Sequence, residues 1–168
     1  MALVKLNATR GMTGNLPALN GSALTNLSAG KVLQVQSGYV HSDQSTSATS
    51  DSATIVTDQI TPSATDSKII IWVQGGRGSY GGGATEGVIK LYRQIGGGGY
   101  SELRVAHNDS VQESGGYGKP TIAFNYLDTT HNTTSAIDYK MYIKTNANTF
   151  YFNSSGAQVA MMLMEMAA

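Results

Sequence analysis

The chain has 168 residues, of which 13% are charged, and its 11 basic and 11 acidic residues leave no net charge at pH 7. Such weak and balanced charge excludes the basic surface on which nucleic-acid binding depends. The absence of cysteine excludes disulfides and thiolate metal sites. An apolar content of 40% provides for a core, and the length suits one compact domain with a short appendage.

The sequence shows no pattern typical of a targeting signal or a membrane span. The first residues, Met1–Leu6, lack the apolar run of a signal peptide. No stretch reaches the length that a membrane-spanning helix needs. We therefore expect a chain that is made in a cytoplasm and that has neither a membrane nor a nucleic acid as its partner.

Residues 1–30 differ from the rest of the chain, because their leucines are scattered among Gly, Asn and Thr without a helical or strand period. Such a segment cannot close a core of its own. The sequence therefore predicts an extended N-terminal docking arm over residues 1–30 and a β-sandwich domain over residues 31–168. An arm that folds back on its own domain is the alternative. The apolar side chains that such an arm would offer to another surface are Leu16, Leu19, Leu24 and Leu27.

The remainder of the chain consists of short apolar runs, nearly all closed by Gly, Ser, Thr, Asn or Asp. Strand-length runs with such boundaries are typical of antiparallel sandwiches and barrels. The polar segment 41–52 and the Gly-rich segment 75–87 are predicted to be loops. We expect an all-β, jelly-roll-like antiparallel sandwich. Its predicted strands are Val32–Val35, Ile55–Ile60, Ile69–Val73, Val88–Tyr92, Leu103–Val105, Ile122–Tyr126, Ile137–Ile143, Phe150–Phe152 and Val159–Met166.

Two of these runs are apolar on both faces. In Ile69–Val73 the second face carries Ile70 and Trp72, which indicates a central strand covered on both sides. The run Val159–Met166 would expose a large patch on a lone chain, and methionines adapt to irregular contacts. We expect one face of this run in the core and the other in a contact between subunits. A strand covered by the chain's own loops is the alternative. The predicted contact residues are Met162, Met164 and Met166.

No motif carries catalytic chemistry. The segment Gly76–Gly81 matches the dinucleotide pattern G-x-G-x-x-G, but a further strand follows it where a helix would have to hold the pyrophosphate. His41, His107 and His131 lie in or beside polar loops without ligand spacing, and we expect them to be solvated. The sequence therefore predicts no catalytic, cofactor-binding or metal-binding residue.

Three tyrosines lie in or beside Gly-rich stretches: Tyr80, Tyr100 and Tyr117. Tyrosines on such loops are common recognition residues, because each offers a large ring and one hydrogen-bonding group. These three are candidate contacts to a glycan, a cell surface or a neighbouring subunit. The alternative is that the rings fold back over the ends of the sandwich.

Five segments, taken in their order along the chain, resemble the β-domains of tailed-bacteriophage fibre and virion-surface proteins. The resemblance covers nearly everything after residue 15. It implies a structural protein of the virion surface, a trimeric β-sandwich without enzymatic activity. The segment Thr129–Asn132 departs from the family, in which a proline is expected at this turn. The segments are Leu16–Leu27, Gly30–Val35, Ile60–Ile71, Thr133–Lys140 and Leu163–Met166.

The expected function is that of a capsid decoration (cement) or head-fibre protein. Its arm would dock on a major capsid protein or another virion protein, and its β-domain would form a homotrimer. A tail-fibre tip that binds a host-surface receptor or glycan is the alternative within this class. Outside it, the alternative is a carbohydrate-active module, which paired carboxylates in a cleft would favour. No cofactor is expected.

Overall fold

The computed structural model describes residues 31–40, 42–81, 87–109, 121–153 and 156–168. Eleven β-strands are defined over these residues, and the strands that pair do so in antiparallel fashion. They are β1 (Val32–Val40), β2 (Gln44–Thr46), β3 (Ala53–Ile60), β4 (Lys68–Gly75), β5 (Gly78–Gly81), β6 (Gly87–Ile95), β7 (Ser101–Asp109), β8 (Ile122–Asp128), β9 (Ile137–Thr145), β10 (Thr149–Phe152) and β11 (Val159–Met166).

Eight of the strands form two four-stranded sheets. The front sheet has the order β1-β11-β4-β8, and the back sheet has the order β3-β9-β6-β7. The pairings are nested, since β6 pairs with β7, β4 with β8, β3 with β9 and β1 with β11. Successive nested pairs alternate between the two sheets, as in a long hairpin that has been rolled up. This is the jelly-roll arrangement, so the predicted all-β antiparallel sandwich is confirmed, whereas the N-terminal arm and the trimer stay predictions.

Three short strands form a third sheet with the order β2-β10-β5. The rings of Phe150 and Phe152 in β10 are fully buried. The strands β2 and β5 lie in segments 41–52 and 75–87, so the prediction that these segments are loops is incomplete. Both strands are too short and too poor in apolar residues for a sequence pattern to distinguish them from loops.

The core lies between the inner faces of the front and back sheets. In β9 the burial alternates from residue to residue, with Tyr139 and Met141 buried and Asp138 and Lys140 half-buried. This is the period expected of a strand with one face in a core. The largest fully buried side chains are Tyr139, Phe150, Phe152, Ile55, Ile60, Ile69, Ile71, Ile89, Leu91, Ile137, Met141 and Ile143.

A buried carboxylate joins the two sheets. Asp128, in β8 of the front sheet, accepts hydrogen bonds from Arg93 Nη1 in β6 at 2.6 and 2.8 Å and from the Tyr139 hydroxyl in β9 at 2.7 Å. Burial raises the pKa of Asp128, but hydrogen bonds from the Thr130 amide, Arg93 and Tyr139 and the charge of Arg93 outweigh it and lower the pKa. The ionised carboxylate is therefore part of the contact between the sheets.

The turn after β8 is also buried in part. His131 is 3% exposed, and its Nε2 donates to the Ser67 carbonyl at 2.7 Å. The prediction that His131 is solvated is wrong, because its ring fastens this turn to the segment that precedes β4. The next residue, Asn132, has a φ of 46°, a conformation that asparagine tolerates better than most residues. His41 lies outside the described residues, and so does the side chain of His107.

Candidate functional site: the outer face of the front sheet

The outer face of the front sheet carries an apolar row that crosses all four strands. Val35 pairs with Met164, Met164 with Ile70, and Ile70 with Leu127. Directly paired residues point to the same side of a sheet, so the four side chains lie next to one another. Val35 and Leu127, at the two ends of the row, are each 49% exposed.

A hollow lies beside this row, where Trp72 pairs with Met162. Trp72 is 49% exposed although β4 is an inner strand of its sheet. The expectation that the second face of this strand is covered is therefore wrong for Trp72. The hollow has a volume of about 420 Å³ and is open to one side. It is lined by Ser37, Trp72, Gln74, Ala160, Met161 and Met162.

Charge is nearly absent from this face. Among its outward residues in the described strands only Lys68 is charged, and it lies at one end of β4. Four strands about 4.8 Å apart and about eight residues long, at about 3.3 Å per residue, give a face of roughly 500 Å². Ser37, Gln74, Asn125 and Lys68 occupy part of this face. Its apolar part therefore lies within the range of about 300–600 Å² that typical monomers expose, and such patches often serve binding.

The charged residue of β11 points away from this face. Glu165 is fully buried, and its carboxylate accepts hydrogen bonds from Gln34 Nε2 at 2.7 Å and from the amide and hydroxyl of Ser63 at 2.7 and 2.8 Å. Burial raises the pKa of Glu165, but hydrogen bonds from Gln34, Ser67 and Ser63 outweigh it and lower the pKa. The charge is satisfied inside the sandwich, which leaves the outer side of β11 apolar.

The predicted contact residues Met162, Met164 and Met166 all lie on this outer face and are half-buried. Their neighbours on the other strands were not predicted as part of the same surface. Sequence periodicity places Ile70 and Trp72 on one side of β4, but only the register of the strands brings Val35 and Leu127 beside them. That these residues contact another subunit stays a prediction.

The other predicted site residues are only partly within the described structure. The arm leucines Leu16, Leu19, Leu24 and Leu27 lie outside the described residues, and so does Tyr117. The backbone of Tyr80 belongs to β5, but its side chain lies outside the described part. Tyr100 directly precedes β7, and its ring contacts that of Tyr142 on the back sheet, with 6.0 Å between the ring centroids.

The outer face of the back sheet has the opposite chemistry. Lys90 Nζ lies 2.8 Å from Glu102 and 3.3 Å from Asp51, and the Tyr92 hydroxyl donates to Asp51 at 2.5 Å. The side chains of Asp138, Lys140, Tyr142 and Lys144 alternate with the buried residues of β9 and point outward. This face is therefore polar, charged and rich in tyrosine.

Neither metal-binding nor membrane-spanning features are found in the described ranges. No group of three or more His, Asp or Glu side chains is placed there to hold a metal ion. No helix in that part of the chain is long and apolar enough to cross a membrane. Two carboxylates that both lie near one side chain, those of Asp51 and Glu102, are paired with Lys90.

Comparison with known proteins gives a likeness of fold. No family model matches the sequence, and no curated protein matches it. A structure of infectious bursal disease virus, Gx strain, aligns at a TM-score of 0.50 with 10% identity, over 90% of this chain and 40% of that chain. The Gt strain aligns at 0.47 with 11% identity, over 90% and 42%. A VP2 subviral particle of the same virus aligns at 0.45 with 15% identity, over 79% and 33%.

The alignment with the Gx-strain structure is a likeness of the β-domain as a whole. The protein has an antiparallel β-domain whose fold is similar to part of the Gx-strain chain, and it spans about 40% of the length of that chain. At 10% identity the likeness concerns the fold alone. The function has to be argued from the surfaces of the domain.

Proposed function

We propose that this protein is a non-enzymatic structural protein of a viral particle, a capsid decoration or head-fibre protein of a tailed bacteriophage. In this proposal the β-domain forms a homotrimer through the outer face of the front sheet. The arm, residues 1–30, docks the trimer on a major capsid protein or another virion protein. The observation that carries the proposal is the apolar row of Val35, Met164, Ile70 and Leu127.

The size of the apolar face favours association. Removing about 300–500 Å² of apolar surface from water at about 25 cal/mol per Å² contributes on the order of 10 kcal/mol per copy. A trimer buries three such faces. The free energy gained is opposed by the cost of two association steps, each about 4–15 kcal/mol. The balance is compatible with a stable trimer and gives a reason for one nearly uncharged face.

The occupant that fits this face is a second copy of the same chain. The only charged residue on this face in the described strands is Lys68, at one end of β4. Two copies can therefore meet through this face without bringing many like charges together. In a closed, symmetric assembly this face would be buried on every copy. In an open chain of copies, it would stay exposed on the last copy. Methionines such as Met162 and Met164 adapt to the curvature that a threefold contact requires.

The arm joins the domain at a corner of this same face. Lys31 directly precedes β1, its carbonyl accepts a hydrogen bond from the Ala167 amide at 2.9 Å, and Val32 pairs with Met166. In a trimer closed by the front sheets, three arms would leave from equivalent corners. Three linked docking segments bind far more tightly than one, because the second and third bind at a high effective concentration.

The docking role of the arm can be tested with the complete chain. Replacing Leu16, Leu19, Leu24 and Leu27 by Ser removes the predicted anchors from the arm, whereas replacing Asn15, Asn20 and Asn26 by Ser leaves them in place. We expect the leucine variant to lose binding to virus particles stripped of this protein while it remains a trimer. The asparagine variant should bind as the parent does. Undiminished binding of the leucine variant would refute the docking role.

A tail-fibre tip that binds a host-surface receptor is the second candidate function. The observation that favours it is the position of Tyr100, whose ring lies at the surface of the back sheet beside Lys140 and Tyr142. Imaging of labelled protein on virions distinguishes the two candidates, because a decoration protein labels heads and a fibre tip labels tails.

A further inference from the structure

Three tyrosine rings meet on the outer face of the back sheet. The rings of Tyr92 and Tyr142 have centroids 5.1 Å apart at 87°, and those of Tyr100 and Tyr142 lie 6.0 Å apart at 90°. Edge-to-face contacts of this kind fix the orientation of each ring. All three residues are half-buried, so part of each side chain faces solvent.

A glycine-containing turn between β6 and β7 positions the ring of Tyr100. Gly96 and Gly97 have φ values of 57° and 75°, a conformation that costs other residues energy. The Gly96 amide donates to the Ala136 carbonyl at 2.9 Å, and the Gly98 amide donates to the Ile95 carbonyl at 3.0 Å. The turn between β6 and β7 is thus hydrogen-bonded, and it sets Tyr100 against Tyr142.

A lysine lies beside these rings without a carboxylate partner. Lys140 Nζ is 4.2 Å from the centroid of Tyr100 and 5.4 Å from that of Tyr142. Among the described residues the ion pairs are those of Lys90 and Arg93, and Lys140 forms none. The ring faces attract the ammonium group and hold it in place, but they do not neutralise its charge. An anion from outside can therefore pair with Lys140.

Hydrogen-bond acceptors lie at the other end of the cluster. Glu102 pairs with Tyr92, and Tyr92 pairs with Lys140, so the three residues form one row across three strands. At about 4.8 Å per strand, the backbones of Glu102 and Lys140 are roughly 10 Å apart. The side chain of Glu102 is 40% exposed and can accept hydrogen bonds from hydroxyl groups. The row thus offers an acceptor at one end, aromatic surface in the middle and a cation at the other end.

We propose that this row, which we name the tyrosine–lysine cluster (Tyr92, Tyr100, Lys140, Tyr142 and Glu102), binds a saccharide that carries a carboxylate. The carboxylate of the sugar pairs with Lys140, the apolar side of a sugar ring lies on the exposed edge of the tyrosines, and hydroxyl groups donate to Glu102. The inference deepens the receptor-binding candidate and does not depend on how the copies assemble.

Calorimetric titration of the complete protein at low salt tests this site. The probes are a hyaluronan hexasaccharide, which carries glucuronate, and 3′-sialyllactose, which carries sialate, with neutral maltohexaose as the control. We expect at least one acidic probe to bind, and the neutral probe to bind about fivefold more weakly or worse. The two acidic probes distinguish the two common sources of a sugar carboxylate.

Variants on one strand locate the site. Lys140→Gln should weaken binding of the acidic probe by about fivefold or more, because it removes a charge-assisted hydrogen bond. Lys140→Arg should retain binding, and Lys144→Gln, on the same strand and face, should bind as the parent does. Circular dichroism on the same samples shows that each variant is folded.

The proposal is overturned if neither acidic probe binds or if maltohexaose binds as well as they do. A smaller loss in Lys140→Gln, or an equal loss in Lys144→Gln, overturns it too. The molecular mass of each sample is measured in parallel. A parent protein that binds sugar as a monomer would refute the trimer and leave the saccharide site standing, so the two failures are distinguishable.

Discussion

The two outer faces of the sandwich cover the same core with the same pleated geometry, yet they differ in chemistry. On the front sheet the central row runs through Val35, Met164, Ile70 and Leu127 without a charge. On the back sheet, Lys140 and its neighbours form a charged and aromatic surface. Strand pairing alone therefore does not determine which side of a jelly roll faces water.

The direction in which charged side chains point explains why the two outer faces differ in chemistry. Glu165 is the one charged residue of β11, and it turns inward, where Gln34 and Ser63 donate hydrogen bonds to it. In β9 the charged side chains, such as Lys140 and Lys144, turn outward. One outer face is thereby left nearly uncharged, and the other is polar and charged.

A charge on the front face should have the largest effect. Met164→Asp places a carboxylate in the middle of the apolar row, and burying it without a partner costs several kcal/mol. We expect the proposed trimer to dissociate completely into folded monomers, as measured by light scattering. Lys144→Asp makes a comparable change on the back face and should leave the trimer intact. Equal masses for the two variants would remove the distinction between the faces.

The connection between the sheets should give the next largest effect. Asp128→Asn leaves Arg93 largely buried without its ionic partner, which costs about 3–5 kcal/mol in similar buried pairs. We expect a loss of this size in the free energy of unfolding by urea, measured in the monomeric Met164→Asp background so that association does not contribute. A loss under about 1 kcal/mol would show that this contact contributes little to holding the two sheets together.

Acid should weaken the domain through two carboxylates. The pKa values of Asp128 and Glu165 are lowered by their hydrogen bonds in the fold, below ordinary values of 3.8 and 4.5. Their stabilisation is complete above those ordinary values and is lost as the pH falls through the folded pKa. Asp58, whose pKa is raised by burial, opposes this trend in part.

The expected result is a free energy of unfolding that falls steadily below about pH 4. In the Asp128→Asn variant the fall should be shallower, because one of the two carboxylates no longer titrates. Unfolding by urea at a series of pH values measures both slopes. Parallel curves for the parent and the variant would contradict the assignment of a lowered pKa to Asp128.

The polar contacts of the back face should have the smallest effect. Lys90 retains Asp51 as a partner when Glu102 is neutralised, and Glu102 is itself 40% exposed. Exposed ion pairs contribute about 0–1 kcal/mol. We expect Glu102→Gln to change the free energy of unfolding by less than about 1 kcal/mol in the same assay. A cost as large as that of Asp128→Asn would mean that the back face also supports the fold.

Most of the strands can be predicted from the sequence alone. Each predicted run lies within an observed strand, because alternation such as that of Ile137–Ile143 follows directly from a half-buried strand. The strands β2 and β5 were missed, since pairing with β10 defines them and their own residues do not. The inward turn of His131 was missed for a similar reason, because its partner Ser67 is distant in the chain.

The surfaces could be predicted only one strand at a time. Periodicity identifies Met162 and Met164 as one side of β11, but Leu127 joins them only through the register of β4 with β8. On the back face, the contact of Tyr100 with Lys140 depends on the turn at Gly96 and Gly97. Local patterns give the faces of strands, whereas neighbours across a sheet depend on pairings that no local pattern contains.

Fluorescence of Trp72 tests the central claim most directly, because it is the chain's single tryptophan and lies in the hollow of the front face. In a lone domain its side chain is about half exposed to water. If copies associate through this face, quenching of Trp72 by acrylamide should be weak at high protein concentration and should increase on dilution and in Met164→Asp. Strong quenching at every concentration, or shielding that dilution does not change in a protein of monomeric mass, would contradict the account.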